Sequence, residues 1–101
     1  MTYAVRFTKE TAVDLLRLID FLIVQDLPAA RKAQTAIIEA VKFLTIFPFS
    51  CRKAEGSMGN SFVRELLIPF GNAGYVALFE IDDAKTVTVL AVRHQREDDY
   101  H

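Results

Sequence analysis

Residues 62–92 read FVRELLI, then PFGNAG, then YVALFEI, then DDAK, then TVTVLAV. Runs rich in β-branched and aromatic residues, separated by Pro, Gly, Asn and Asp, predict an antiparallel meander. In the first run Phe62, Arg64, Leu66 and Ile68 share one face, and Val63, Glu65 and Leu67 share the other. Arg64 and Glu65 therefore point in opposite directions, each among apolar neighbours. In the last run Val87, Val89 and Ala91 alternate with Thr88, Leu90 and Val92, which predicts a strand at least half buried on both faces. Directly after it the chain turns polar and charged, Arg93-His94-Gln95-Arg96-Glu97-Asp98-Asp99-Tyr100-His101.

Upstream of the meander, Tyr3, Val5 and Phe7 alternate with Ala4, Arg6 and Thr8, which predicts a short strand. Thr8 is a suitable N-cap for a helix over residues 9–25, and Glu10 lies in the first turn, where the helix dipole favours an acid. Ala12, Leu15, Leu16, Ile19, Leu22 and Ile23 recur at helical spacing and are the expected buried face. Leu18, Phe21 and Val24 widen the apolar surface beyond that face, which fits either a helix sandwiched between its partner helix and the sheet or, on the sharper reading, a docking surface for another chain. Asp26-Leu27-Pro28 ends this helix and starts a second over residues 28–46, since proline is accepted in a first turn but not in a helix interior. Ala30, Ala33, Ile37, Ala40, Val41 and Leu44 form its apolar face. The alanines predict close approach of the two helices as an antiparallel hairpin. Pro48 stops the second helix, and residues 49–61 read as a loop. The predicted fold is α+β, in the order β-α-α-β-β-β: a small, mostly antiparallel sheet with the helical hairpin on one face.

A chain of 101 residues is expected to be one domain, residues 1–101, large enough to hold a core without a metal or disulfides. Its 51% hydrophobic content is high for that size, consistent with some apolar surface meeting a partner. Cys51 is the single cysteine, so no internal disulfide can form, and no metal or cofactor is expected. No signal-peptide pattern and no membrane-spanning run are present, so the cytoplasm is the expected compartment. The net charge is −1, from 12 basic and 13 acidic residues interleaved along the chain. That balance argues against broad, salt-sensitive binding to nucleic acid.

The whole chain resembles the RelE/ParE family of toxins from bacterial type II toxin–antitoxin modules. The resemblance is carried by Phe7-Thr8, Asp26-Leu27-Pro28-Ala29-Ala30, Phe47-Pro48 and Arg64-Glu65-Leu66. It continues in Phe70-Gly71…Gly74-Tyr75-Val76-Ala77 and Val89-Leu90-Ala91-Val92-Arg93-His94-Gln95-Arg96-Glu97-Asp98-Asp99-Tyr100. It implies a toxin neutralised by a cognate antitoxin wrapped around it, with Leu18, Phe21 and Val24 as expected contacts. Two activities occur within the family, inhibition of DNA gyrase by binding and ribosome-dependent cleavage of mRNA, and a family member without toxicity is the further alternative.

Cleavage of RNA needs a base, an acid and fixed cations around the phosphate. The resemblance supplies Arg64, Arg93, His94, Arg96 and Tyr100 as the candidate set, together with Arg52 and Lys53 in the loop. His94 is the expected proton carrier, and Arg64 with Arg93 is the expected phosphate clamp. The neutral charge balance and the acidic run Glu97-Asp98-Asp99 beside these cations favour gyrase instead, as does the closing Arg-Glu-Asp-Asp-Tyr. On that reading the same five residues bind the target and none is catalytic. Each also has a plainer reading: Arg64 as a strand charge, Arg93 and Arg96 as solvated sheet ends, His94 as a surface histidine, Tyr100 as a ring packed on the domain edge.

Overall fold

The computed structural model describes residues 2–54, 62–70 and 74–94. β1 (Ala4–Phe7) leads into α1 (Lys9–Gln25) and α2 (Leu27–Leu44), followed by a short 3-10 turn at Pro48–Ser50. Then come β2 (Arg52–Lys53), β3 (Val63–Ile68), β4 (Tyr75–Ile81) and β5 (Thr86–His94). The strands form one sheet in the order β1-β5-β4-β3-β2. β1 lies parallel to β5, and the other pairings are antiparallel. The helical hairpin packs on one face of this sheet, as expected from the sequence. The loop expected over 49–61 is more ordered at its start: β2 pairs Arg52 with Glu65 and Lys53 with Arg64. The remainder of that loop lies outside the described residues.

Local signals set the element ends. The Thr8 hydroxyl accepts the Thr11 N–H at 3.1 Å and caps α1. Asp26 closes α1 by donating its N–H to Leu22 O, and its carboxylate accepts the Ala29 N–H to open α2. One residue thus serves both helix ends, which leaves no room for a longer connection. The second helix stops at Leu44, two residues before the expected end. Thr45 N–H and Oγ1 turn back on the last turn, and Phe47 N–H reaches Phe43 O. In the β4–β5 turn the Lys85 N–H donates to Asp83 Oδ1 at 2.7 Å, which holds that carboxyl below its ordinary range.

The core sits between the helices and the sheet. Tyr75, Ala77, Phe79 and Ile81 of β4 alternate onto the helix side together with Ile68 of β3 and Val87, Val89 and Val92 of β5. Ala33 and Leu44 of α2 close over them, and Phe79 and Ala33 are fully buried. Burying one Phe or Leu side chain contributes roughly 1.5–3 kcal/mol, so this shared layer holds the hairpin to the sheet.

Three expectations are corrected here. Val87, Val89 and Ala91 do not share a face: Leu78 pairs with Ala91 but Phe79 with Val89, so Leu90 is an extra, unpaired residue. This bulge reverses the alternation and puts Val92, not Ala91, into the core. The buried line of α1 is Thr11, Asp14 and Leu18, flanked by half-buried Leu15, Ile19 and Leu22. Ala12, Leu16 and Ile23, expected inside, are exposed. Leu18, expected on the docking surface, lies in the core at 8% exposure.

Candidate functional site

The rotation of α1 has a hydrogen-bonding cause. β1 ends at Phe7 while β5 runs on to His94, so the last residues of β5 lose their neighbouring strand. Polar groups of α1 take its place along that edge. Val89 O accepts from Thr8 N at 3.2 Å and from Thr11 Oγ1 at 2.7 Å, and Leu90 O accepts from Thr8 Oγ1 at 3.3 Å. The Val92 N–H donates to Asp14 Oδ2 at 3.2 Å. Buried main-chain groups without partners are costly, so Thr11 and Asp14 must face inward and the helix turns to suit them.

Asp14 also forms an ion pair with Arg93 and a longer one, 3.9 Å, with Arg17. Arg93 pairs across the sheet with Val76, and His94 with Tyr75. Because of the bulge, His94 lies on the helix side of the sheet and Arg93 on the other. The His94 ring meets Tyr75 edge-on at 5.7 Å, and Phe70 stacks on Tyr75 at 5.6 Å. Burial pushes the Tyr75 phenol above its ordinary pKa. Gly74, which leads into this cluster, has φ +117°, a conformation that side-chain-bearing residues rarely adopt.

Arg64 is at the other end of the sheet. It pairs with Phe79, whereas Ile68, four residues further along β3, pairs with Tyr75 and through it with His94. At about 3.3 Å per residue and ~4.8 Å per strand, Arg64 and His94 are roughly 16 Å apart in the sheet. The Arg64 guanidinium donates to Phe49 O at 3.2 Å and Cys51 O at 2.6 Å, and lies 5.3 Å from the centre of the Phe49 ring. Burial pushes the Cys51 thiol up, and the Arg64 charge partly opposes this. Arg64 and Arg93 thus occupy opposite ends and opposite faces, and the expected clamp of both on one phosphate does not form. Glu65, on the face opposite Arg64 as expected, is 5% exposed and pairs with Arg52 Nε at 2.8 Å.

Arg96 and Tyr100 lie outside the described residues. Phe21 and Val24 are 64% and 83% exposed on α1. Thr11, Asp14 and Tyr75 were not singled out in the sequence. The available signal was a polar pair three residues apart on a helix that is otherwise apolar on that side. Among the described residues no group of three or more His, Cys, Asp or Glu side chains is placed to hold a metal. Among the same residues no helix is long and apolar enough to cross a membrane.

The helical hairpin thus covers one face of a five-stranded sheet whose second strand from the edge, β5, ends in Arg93 and His94. The family described as the ParE toxin of the type II toxin–antitoxin system parDE matches residues 5–99, and this chain belongs to it. Among solved structures it is similar to the chromosomal ParDE toxin–antitoxin system from P. aeruginosa, with a TM-score of 0.68 and 24% identity. The match covers 91% of this chain and 95% of that one. At that identity the likeness speaks for the fold. No curated protein matches the sequence.

Proposed function

We propose that this ParE-family toxin acts in the cytoplasm by binding DNA gyrase and inhibiting it, and that a cognate antitoxin neutralises it. The observation that carries the reading is the family match across residues 5–99. The site supports binding over RNA cleavage: Arg93 is paired to Asp14, Arg64 is bonded to main-chain carbonyls, and the two stand far apart. The proposed gyrase-binding surface is the carboxyl end of the sheet, Arg93 and His94 followed by Arg96 and Tyr100, with Arg64 as a separate contact at the far end. Phe21 and Val24 are the proposed antitoxin contacts, and Leu18, buried in the core, is not among the exposed ones.

The test is a gyrase supercoiling reaction with the purified chain. Supercoiling is expected to stop, or cleaved DNA to accumulate, at micromolar toxin, and addition of the antitoxin is expected to reverse it. Unchanged supercoiling would overturn the gyrase assignment. Cutting of mRNA on ribosomes in a translating extract, lost on His94→Ala, would replace it with the endoribonuclease activity.

A further inference from the structure

The outward face of α1 carries more apolar surface than the core uses. Val13, Leu16, Phe21, Ile23 and Val24 are 48 to 83% exposed. At about 100° per residue, Val13, Asp20 and Val24 lie within roughly 40° of one another on the outermost line. Leu16 and Ile23 flank that line on one side, and Arg17 and Phe21 on the other. Between Val13 and Val24 the face is therefore apolar apart from one positive and one negative charge, three residues apart near its middle, and Lys9 and Glu10 add one further charge of each sign in the first turn.

The geometry points to a second copy of this chain as an occupant of this face. A two-fold axis through the middle of α1, between Leu18 and Ile19, sets two such helices antiparallel. Val13 then opposes Val24 of the second copy and Arg17 opposes its Asp20, and symmetry repeats both pairs. Leu16 comes beside Ile23 on one flank. A parallel arrangement would set Arg17 on Arg17 and Asp20 on Asp20, so the charges select the antiparallel one. Arg17 keeps its 3.9 Å contact to Asp14 while doing this, since its side chain is 51% exposed and a guanidinium has several donors. Covering the five apolar side chains in both copies removes on the order of 1,000 Å², the lower limit for a specific interface. At that size the resulting dimer is expected to be a weak one. It occupies the α1 face that the antitoxin is proposed to cover, so, on that reading, dimer and antitoxin complex exclude each other.

Sedimentation of the isolated chain tests this without gyrase or antitoxin, so its failure is separate from failure of the proposed function. The mass is expected to rise from one chain to two with concentration. Arg17→Asp and Asp20→Arg, each alone, are expected to weaken association at least about tenfold. An equimolar mixture of the two variants is expected to recover a heterodimer, because the opposed charges are again complementary. Val24→Ser, at an 83% exposed position that folding tolerates, is expected to weaken the dimer without any charge change. A chain that stays monomeric up to its solubility limit would overturn the proposal, as would single reversals that associate as tightly as the unaltered chain.

Discussion

Asp14 on α1 accepts the main-chain N–H of Val92 on β5, 78 residues away, and this bond closes the sheet edge that β1 leaves open. The same carboxylate pairs with Arg93, so one helix residue anchors the base of the segment that leads into the charged carboxyl end.

Replacing Asp14 is expected to be costly in two separable parts. Asp14→Ala leaves a buried N–H and the Arg93 guanidinium without this partner, a loss on the order of 3 kcal/mol. Asp14→Asn keeps an acceptor for Val92 and loses only the charge, about 1–2 kcal/mol. Denaturant unfolding of both variants checks the order.

Thr11 is fully buried, and its hydroxyl donates to Val89 O at 2.7 Å. Thr11→Val preserves the shape and removes that donor, so a destabilisation of about 1–2 kcal/mol is expected. Thr11→Ser keeps the hydroxyl and is expected to recover most of the bond. A Val variant as stable as the original would show that the edge does not need this hydroxyl.

Gly74 cannot be substituted without strain. A Cβ there would collide with the Ile68 carbonyl oxygen, and φ +117° is unfavourable for any side chain. Gly74→Ala is expected to cost on the order of 3 kcal/mol and to disturb the Phe70–Tyr75–His94 contacts, visible as shifted aromatic NMR resonances.

Stability is expected to fall on the alkaline side. Burial raises Cys51 above its ordinary 9.0 and Tyr75 above its ordinary 10.0, so the folded state favours both neutral forms. The stabilisation is therefore complete below the unfolded-state values and is lost as pH rises through the folded ones. Unfolding midpoints should stay level from neutrality to near 9.0 and decline above it, and in Cys51→Ala the decline should begin nearer 10.0.

Arg64→Lys retains the charge but not the fork that reaches both Phe49 O and Cys51 O. A loss of about 1–2 kcal/mol is expected, with faster amide exchange across Ser50 and Cys51. Unchanged exchange would mean that the 3-10 turn holds itself.

Much of this protein is legible locally. The three runs of the meander, the Thr8 and Asp26 caps and the Pro48 stop are statements about neighbouring residues, and the elements they define lie within two residues of where the pattern places them, whereas β2 falls in a stretch that reads as loop. What was misread has a common origin. The buried side of α1 depends on which of its polar groups meet the unpaired edge of β5, and the breadth of its apolar surface hides the answer. Leu16 and Ile23 look like core residues, and only Thr11 and Asp14 bonding to a strand 78 positions away turn them outward.

The order of the two helices and the strands of the meander was thus determined by the sequence alone, because periodicity, capping and turn chemistry act over a few residues. Only the tertiary structure decided that Leu90 bulges, that His94 and Arg93 take opposite faces, and that Arg64 stands at the far end of the sheet. Those outcomes follow from pairing register, and register is set where distant backbone groups must find hydrogen-bond partners away from water.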